Sequence, residues 1–517
     1  MKKIFLALLL PSSLYSFAQP AIQWEKCLGG SSNDYGYCIQ QTRDSGYVVI
    51  GITGSTNGNV TGFHGGTDTW IAKLDRDGTI QWENCYGGTG GDEGTFIRQT
   101  TDEGYIFAGS TTSNDGDVIG FHGTEDVWVV KLNDTGVIQW SKCYGGSGDD
   151  WASSIQQTTD GGYIIAGFTT SNDGDVSGIH GGGDCWVVKI TDSGAIQWQK
   201  CYGGANDESA TSIVQTSDSG YVFTANTYSN DGDVTGMHGI DDYWVVKLDT
   251  GGAIQWAKCY GGSQDEEPSS IIQTLDGGYA VAGVTGSSDG DVSGNNGNYD
   301  YWIIKLSDTG ALQWQICLGG TNDDEATSII QTNDTNYVIA GYAFSHDGEV
   351  TGNIGAEDYW IVKLDAGGNI IWKKNYGGGS DDRAFSIVQT FDNGYAIAGY
   401  TNSTSGEVTG LHGSWDDYWV VKLAPDTTTG IKEINKAIDL VNVYPNPFNN
   451  LTTIKINGTV NNATLYIYDV LGNIMKNVSF GNNKQIIIDR EQLERGMYFY
   501  QLVQNNSIMA TGKLIIE

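Results

Sequence analysis

Proline, methionine and positive charge are scarce in this chain of 517 residues, which holds 6 Pro, 5 Met and 27 Lys+Arg against 62 Asp+Glu. A formal charge of −35 excludes nucleic acid and anionic membrane surfaces as partners, because both need a basic footprint. With so few Pro and no collagen-like triplet period, the 74 Gly mark many turns and exclude a fibre. Aromatic residues make up 11% of the chain, too many for a disordered acidic polymer. Beyond the extreme N-terminus no run is long and apolar enough to span a bilayer. Neither a Gly-x-Ser-x-Gly elbow nor a His-Glu-x-x-His pair occurs.

The N-terminus is built for export. Met1-Lys2-Lys3 is a charged start, residues 4–10 are apolar, and Ser16-Phe17-Ala18 offers a small-x-small cleavage site. A signal peptide over residues 1–18 is expected, with passage through the periplasm. Pro11-Ser12-Ser13 interrupts the apolar run well before membrane-spanning length.

From Ile22 to Leu423 the chain is dominated by repetition. Trp24, Trp82, Trp140, Trp198, Trp256, Trp314 and Trp372 recur every 58 residues. A second series, Asp-x-Trp, places Trp70, Trp128, Trp186, Trp244, Trp302, Trp360 and, after one inserted residue, Trp419. Each copy reads as four short strands. In the third copy they are 153–158, 163–167, 186–190 and 196–198, separated by Asp160-Gly161-Gly162, a Gly/Asp-rich connection and Asp192-Ser193-Gly194. The second and third strands are apolar on both faces, which face-to-face sheets around an axis would bury.

Seven such units predict an all-β, seven-bladed β-propeller over residues 19–423. The chain enters with a fourth-type strand and leaves with a third-type strand, so the N-terminal strand is expected to close the last blade. These motifs, over residues 22–423, resemble the bacterial extracellular seven-bladed β-propeller repeat families. That resemblance implies a scaffold and no single activity.

After Leu423 the pattern stops. Residues 424–439 read as a linker, and 440–517 as a small β-sandwich of alternating strands. Tyr444-Pro445-Asn446-Pro447-Phe448, the Tyr468-Asp469-x-x-Gly472 element and the terminal Gly512-Lys513-Leu514-Ile515 are similar to the C-terminal sorting domain of type IX secretion substrates. The resemblance implies engagement of the type IX machinery through 440–517, with Tyr444, Pro445, Asn446, Pro447 and Lys513 as its signature, and a secreted or cell-surface product. The acidity lies elsewhere: residues 22–423 carry 54 Asp+Glu and 17 Lys+Arg, a net −37, whereas 440–517 carry 5 and 6.

Residues present in all seven copies are scaffold first. The Lys series from Lys73 to Lys422 and the Asp series from Asp68 to Asp417 cannot converge on one atom, so structural pairing is expected of them. His64, His122, His180, His238 and His412 lie one per copy, too far apart for a shared zinc. Six of the eight Cys also recur at 58-residue spacing and read as small buried residues. Cys38 and Cys185 lie off the pattern, and a Cys27–Cys38 disulfide is open to an exported protein.

Two loops of each copy share one face and are rich in acids. Asp92, Glu93, Asp149, Asp150 and Asp207 lie in the first, and Asp115, Asp117, Asp173, Asp175, Asp231 and Asp233 in the second. Clustered carboxylates suit Ca²⁺, which takes 6–8 oxygen ligands, while Asp and Asn also close turns unaided; both readings stay open. No other cofactor is indicated. The two tryptophans off the repeat, Trp151 and Trp415, fall on the same face and are candidate platforms for a ligand, with core packing as the alternative.

Anionic-sugar capture uses Arg clusters, and the repeats hold only Arg43, Arg76, Arg98 and Arg383. The sequence therefore favours a non-enzymatic binding or adhesion propeller whose ligand is an extracellular glycan or protein. The alternatives are a glycan-active hydrolase using a carboxylate pair at the mouth and a passive structural surface protein.

Overall fold

The computed structural model describes residues 17–428, 441–456, 463–469, 474–481, 483–490, 493–504 and 507–517. Most of the expected signal peptide, the linker beyond residue 428 and part of the Tyr468–Gly472 element lie outside the described residues. Two compact units emerge, Phe17–Thr427 and Thr428–Glu517, and the described elements are all strands.

In the larger unit each repeat is one antiparallel sheet. Blade one consists of Asp34–Gln41, Tyr47–Thr53, Asp68–Leu74 and Ile80–Tyr86, paired in that order. Blades two to six repeat the order from Asp92, Asp150, Glu208, Glu266 and Asp324. Blade seven takes Asp382–Gln389, Tyr395–Thr401 and Asp417–Leu423 from the end of the array and Ile22–Leu28 from its start. This strand exchange closes the seven-bladed propeller, as the phase of the repeat predicts.

The blades hold together through apolar faces. The second and third strands are buried throughout, and the third-strand Trp of every blade is at most 1% exposed. Seven apolar clusters lie between neighbouring blades; one joins Ile106 and Val129 of blade two to Tyr163 and Trp186 of blade three. Fourth-strand tryptophans reach across as well: Trp24 meets Tyr47 edge-on at 5.5 Å, and Trp140 meets Tyr163 at 6.3 Å.

The repeated charges are structural. Every third-strand Lys is 2–4% exposed and reaches the Asp of its own blade's tight turn, from Lys73–Asp44 at 2.8 Å to Lys422–Asp392 at 3.1 Å. The five His each place Nδ1 2.6–2.9 Å from the buried third-strand Asp of the same blade. All eight cysteines are buried and unbridged, so the Cys27–Cys38 disulfide does not form.

The smaller unit pairs a three-stranded sheet, Val441–Tyr444, Leu451–Ile456 and Gln485–Asp489, with a four-stranded one, Ile474–Gly481, Ala463–Tyr468, Gly496–Gln504 and Ser507–Ile516. Their apolar faces share one core, which includes Phe448, Ile454, Leu465 and Leu514. Asn446 ties the Pro-Asn-Pro motif to the final strand: its Nδ2 donates to Lys513 O and its Oδ1 accepts from Ile515 N, both at 2.8 Å. Tyr444, Pro445, Asn446, Pro447 and Lys513 are exposed around buried Phe448.

One turn position allows a direct test of local strain. Gly161 and Gly277 occupy the left-handed region at φ 88° and 86°, whereas blade six places Thr335 there at φ 68°. A β-branched residue is strained in that conformation. Thr335→Gly should raise the unfolding free energy by about 1 kcal/mol, read from the denaturant midpoint; a lower midpoint would show that the turn is unstrained.

Candidate functional site

The first strands of all seven blades line a central cavity of about 790 Å³. Each contains a β-bulge after its third residue, as between Ala152 and Ser154, and bulges commonly re-aim a side chain. The bulged residue reaches the cavity in every blade: Ser or Thr in blades two to six, Tyr37 in blade one and Phe385 in blade seven. Thr95 and Thr327 Oγ1 donate to backbone carbonyls of their own and the next blade, which holds this hydroxyl layer in place.

Above that layer the repeat is broken at three positions. The second residue of the first strand is Tyr35, Glu93, Trp151, Ser209, Glu267, Glu325 or Arg383. It pairs across the sheet with an equally varied residue, such as Ser110 opposite Glu93, Phe168 opposite Trp151 and Tyr400 opposite Arg383. The third varied position precedes the buried third-strand Asp and holds, among others, Glu125, Gly183, Asp241 and Glu357. Flanking positions scarcely change: a buried acid comes before the first of these and Gly, Ala or Pro after it. Together the varied positions form the rim of the cavity.

The rim has two sectors. From blade six to blade one it is self-paired. Arg383 holds Glu357 through a guanidinium–carboxylate pair with Nη2 at 2.8 Å from Oε1, and its guanidinium lies 4.6 Å from the Tyr342 ring centroid. Tyr35 packs on Tyr400 at 4.9 Å and donates to Asp416 Oδ2 at 2.8 Å.

The opposite sector is open. Glu93, Glu125, Trp151, Asn226 and Glu267 line the cavity there. Glu93 and Glu267 are exposed to the cavity, and partial desolvation by its wall, with Glu125 beside Glu93 and Glu325 beside Glu267, shifts both carboxyls up. Trp151 is stacked on Phe168 at 4.1 Å and 23°. A Cβ at Gly183 would lie 1.9 Å from the Phe168 ring, so the third rim position of this blade must be Gly for the stack to fit.

Trp151 and Trp415 do not meet: Trp415 is 59% exposed on the outer loop of blade seven and does not line the cavity. Asp92, Glu93 and Asp150, expected in the first loop, instead open the first strands, and most of the acids are engaged in closing loops. Asp92 accepts from Gly88 N and Ser113 Oγ, both at 2.8 Å, and Asp150 does the same in the next blade. Asp115, Asp173 and Asp231 each accept a backbone N–H from the neighbouring loop at 2.7–2.8 Å, and Asp207 accepts from Gly183 N. Asp149 takes the Thr124 hydroxyl, Asp117 accepts from Gly87 N at 3.3 Å, and Asp233 lies 4.0 Å from His180 Nε2. Asp175 is tied through its backbone N–H to Gly145 O. Among the described residues no three His, Cys, Asp or Glu side chains are grouped so as to hold a metal ion.

Buried carboxylates also meet at the blade junctions. At Gly377 a Cβ would stand 2.5 Å from Asp358 Oδ1 and 2.7 Å from Asp382 Oδ2, which only glycine permits. Asp358 Oδ1 has no hydrogen-bond partner, nor has the same atom of Asp68, Asp184, Asp242, Asp300 and Asp417. Burial lifts Asp34 and Asp358 to about 6, and Asp300 and Asp382 to about 7, with neighbouring carboxylates contributing.

Residues 442–517 match the family described as the secretion system C-terminal sorting domain. A C-terminal type IX sorting domain of this kind indicates delivery to the cell surface or extracellular space. An endo-acting ulvan lyase of Formosa agariphila is 25% identical over 225 residues, covering 41% of this chain and 41% of that enzyme. This chain therefore matches about two-fifths of that relative's length. Among solved structures, a puromycin hydrolase aligns at TM-score 0.45 with 10% identity over 85% of this chain and 62% of that one. Sqt1 from Chaetomium thermophilum aligns at TM-score 0.40 with 11% identity over 75% and 87%. Structural likenesses this remote speak to neither substrate nor activity. No helix among the described residues is long and apolar enough to cross a membrane.

The junction carboxylates predict an unusual pH profile. Their folded pKa values lie above the unfolded value near 3.8, so their stabilising contribution is complete below that value and is lost as pH rises through 6–7. The turn Asp residues paired with Lys behave oppositely: Asp218 is held down to about 2, and its contribution is lost as pH falls towards that value. Thermal stability should therefore peak near pH 4 and decline from there until about pH 7. Asp382→Asn should flatten the alkaline decline. A melting temperature that rises steadily to pH 8 would contradict this reading.

Proposed function

We propose that the exported propeller is a binding protein whose ligand, a glycan or a protein of the cell exterior, seats on the rim and in the upper part of the central cavity. The observation that carries this reading is the contrast between framework and rim. Seven copies keep the same buried acid, bulge, Trp and Lys–Asp pair, yet the rim positions differ in nearly every blade. Symmetry suits a scaffold, whereas recognition of an asymmetric ligand needs different groups around the ring. The open sector supplies an aromatic platform, Trp151 on Phe168, beside carboxylates and the Asn226 amide. Such a mixture favours neutral or cationic ligand groups.

A second reading is catalysis on a glycan. It is favoured by Glu93 and Glu125, which sit together at the cavity with the Glu93 proton held more tightly than usual, and by the partial match to the ulvan lyase. Glu93 would act as the acid or base in that case.

A glycan and surface-protein screen with the purified full chain, run with and without Ca²⁺, separates these readings. Binding should be found without product formation, and Trp151→Ala should weaken it at least tenfold, about 1.4 kcal/mol, at unchanged melting temperature. Gly183→Ala should weaken it too by displacing Phe168, whereas Trp415→Ala should not. Loss of binding on chelation would assign Ca²⁺ to the loop acids. Polysaccharide cleavage abolished by Glu93→Gln would replace the binding reading with the catalytic one.

A further inference from the structure

The end of the cavity nearest the tight turns carries a cation with no ionic partner among the described residues. There the seventh residue of the first strand is Val or Ile in blades four to seven and Gln in blades one and three, but Arg98 in blade two. Two further departures surround it. Five blades carry a Ser two residues earlier, whose hydroxyl accepts an N–H from the next blade, as Ser154 does from Ile213. Blade two has Phe96 at that position and blade one has Cys38.

The three residues form one unit. The Arg98 guanidinium lies 4.0 Å from the Phe96 ring centroid, and its Nη1 donates to Ile97 O at 2.9 Å and to Cys38 Sγ at 3.4 Å. Nε and Nη2 make no hydrogen bond to the described residues, and no carboxylate among them pairs with Arg98. That is unexpected in a chain with more than twice as many acids as bases. By contrast, Arg383 is bound by Glu357, and the acids of the cavity, Glu93, Glu125 and Glu267, stand at its rim. A half-buried guanidinium fixed by an aromatic face and a carbonyl, with its remaining N–H groups free, is a preorganised acceptor for an oxyanion.

We propose that Arg98 is an anion subsite of the channel and takes a single carboxylate carried by the ligand. The acidic rim disfavours polyanions, so the carboxylate belongs to a molecule that is otherwise neutral or positive, such as a peptide C-terminus or one acidic sugar. This subsite rests on the reading of the channel as a ligand site and gives it a direction: aromatic and amide contacts at the rim, a carboxylate at the opposite end.

Titration calorimetry of the full chain tests the subsite with N-acetylglycine and glucuronate, against N-acetylglycinamide, glucose and inorganic phosphate. At least one carboxylate should bind tenfold or more tightly than its uncharged counterpart and than phosphate, and the two arms identify the source. Arg98→Gln, which restores the residue found at positions 40 and 156, should abolish the preference at unchanged melting temperature. Arg98→Lys should keep only part of it, because the two-pronged contact is lost. No carboxylate preference in the wild type, or an undiminished one in Arg98→Gln, overturns the subsite. A carboxylate preference that survives alongside rim variants without effect on binding would instead locate the failure in the rim.

Discussion

The architecture depends on one act of strand pairing. Ile22–Leu28 lies against Asp417–Leu423 in the register Trp24 to Lys422 and Cys27 to Trp419, so the first residues of the repeat array become the outer edge of its last blade. Only a closed ring brings the first strands of blades one and seven together, and only then do seven rims surround one cavity. A ring left open at this seam would expose an unpaired sheet edge and the apolar faces of two blades. The aromatic sector at the mouth exists because of the same seam, since Tyr35 belongs to blade one and Tyr400 to blade seven.

Within each blade, buried charge and apolar area act together. The third-strand Lys runs its stem through the core and meets the turn Asp at the surface, so strand and turn are locked in one register. The Asp partner is half exposed and the ammonium keeps a backbone carbonyl, so loss of the Asp costs less than the several kcal/mol of a fully buried pair. The same strand carries the Trp whose indole fills the junction with the preceding blade, as Trp186 does against Ile106 and Val129. Framework positions are therefore constrained on both sides, and variation falls on side chains that face the cavity and its rim or lie in exposed turns and loops.

That division explains what could be read from the sequence. Blade number, strand order and closure follow from the Trp spacings and the phase of the repeat, because each rests on periodic burial. Pairing of the Lys and Asp series was foreseeable from their sevenfold recurrence, although the turn Asp as the Lys partner was not. The rim was half legible: Trp151 and Glu93 stand out, but Glu125, Asn226 and Glu267 gain meaning only when the bulge and ring closure bring different copies to one place. Trp415 looks equivalent to Trp151 in sequence, yet one lies in the outer loop and the other at the cavity. Arg98 was visible as a rare Arg, and only the fold shows that no acid among the described residues pairs with it. Gly183 illustrates the limit best, since its need for a missing Cβ comes from Phe168, fifteen positions earlier.

A propeller with a constant frame and an individual rim suits the binding role proposed for it, and that proposal presumes that the ring is closed. Hydrogen exchange across the propeller measures this directly. The amides of Ile22–Leu28 should exchange as slowly as those of the equivalent outer strands, Ile80–Tyr86 and Ile138–Tyr144, and open together with Asp417–Leu423. Exchange of Ile22–Leu28 at the rate of a free chain terminus, with the other outer strands protected, would contradict closure and with it the single cavity on which the binding account stands.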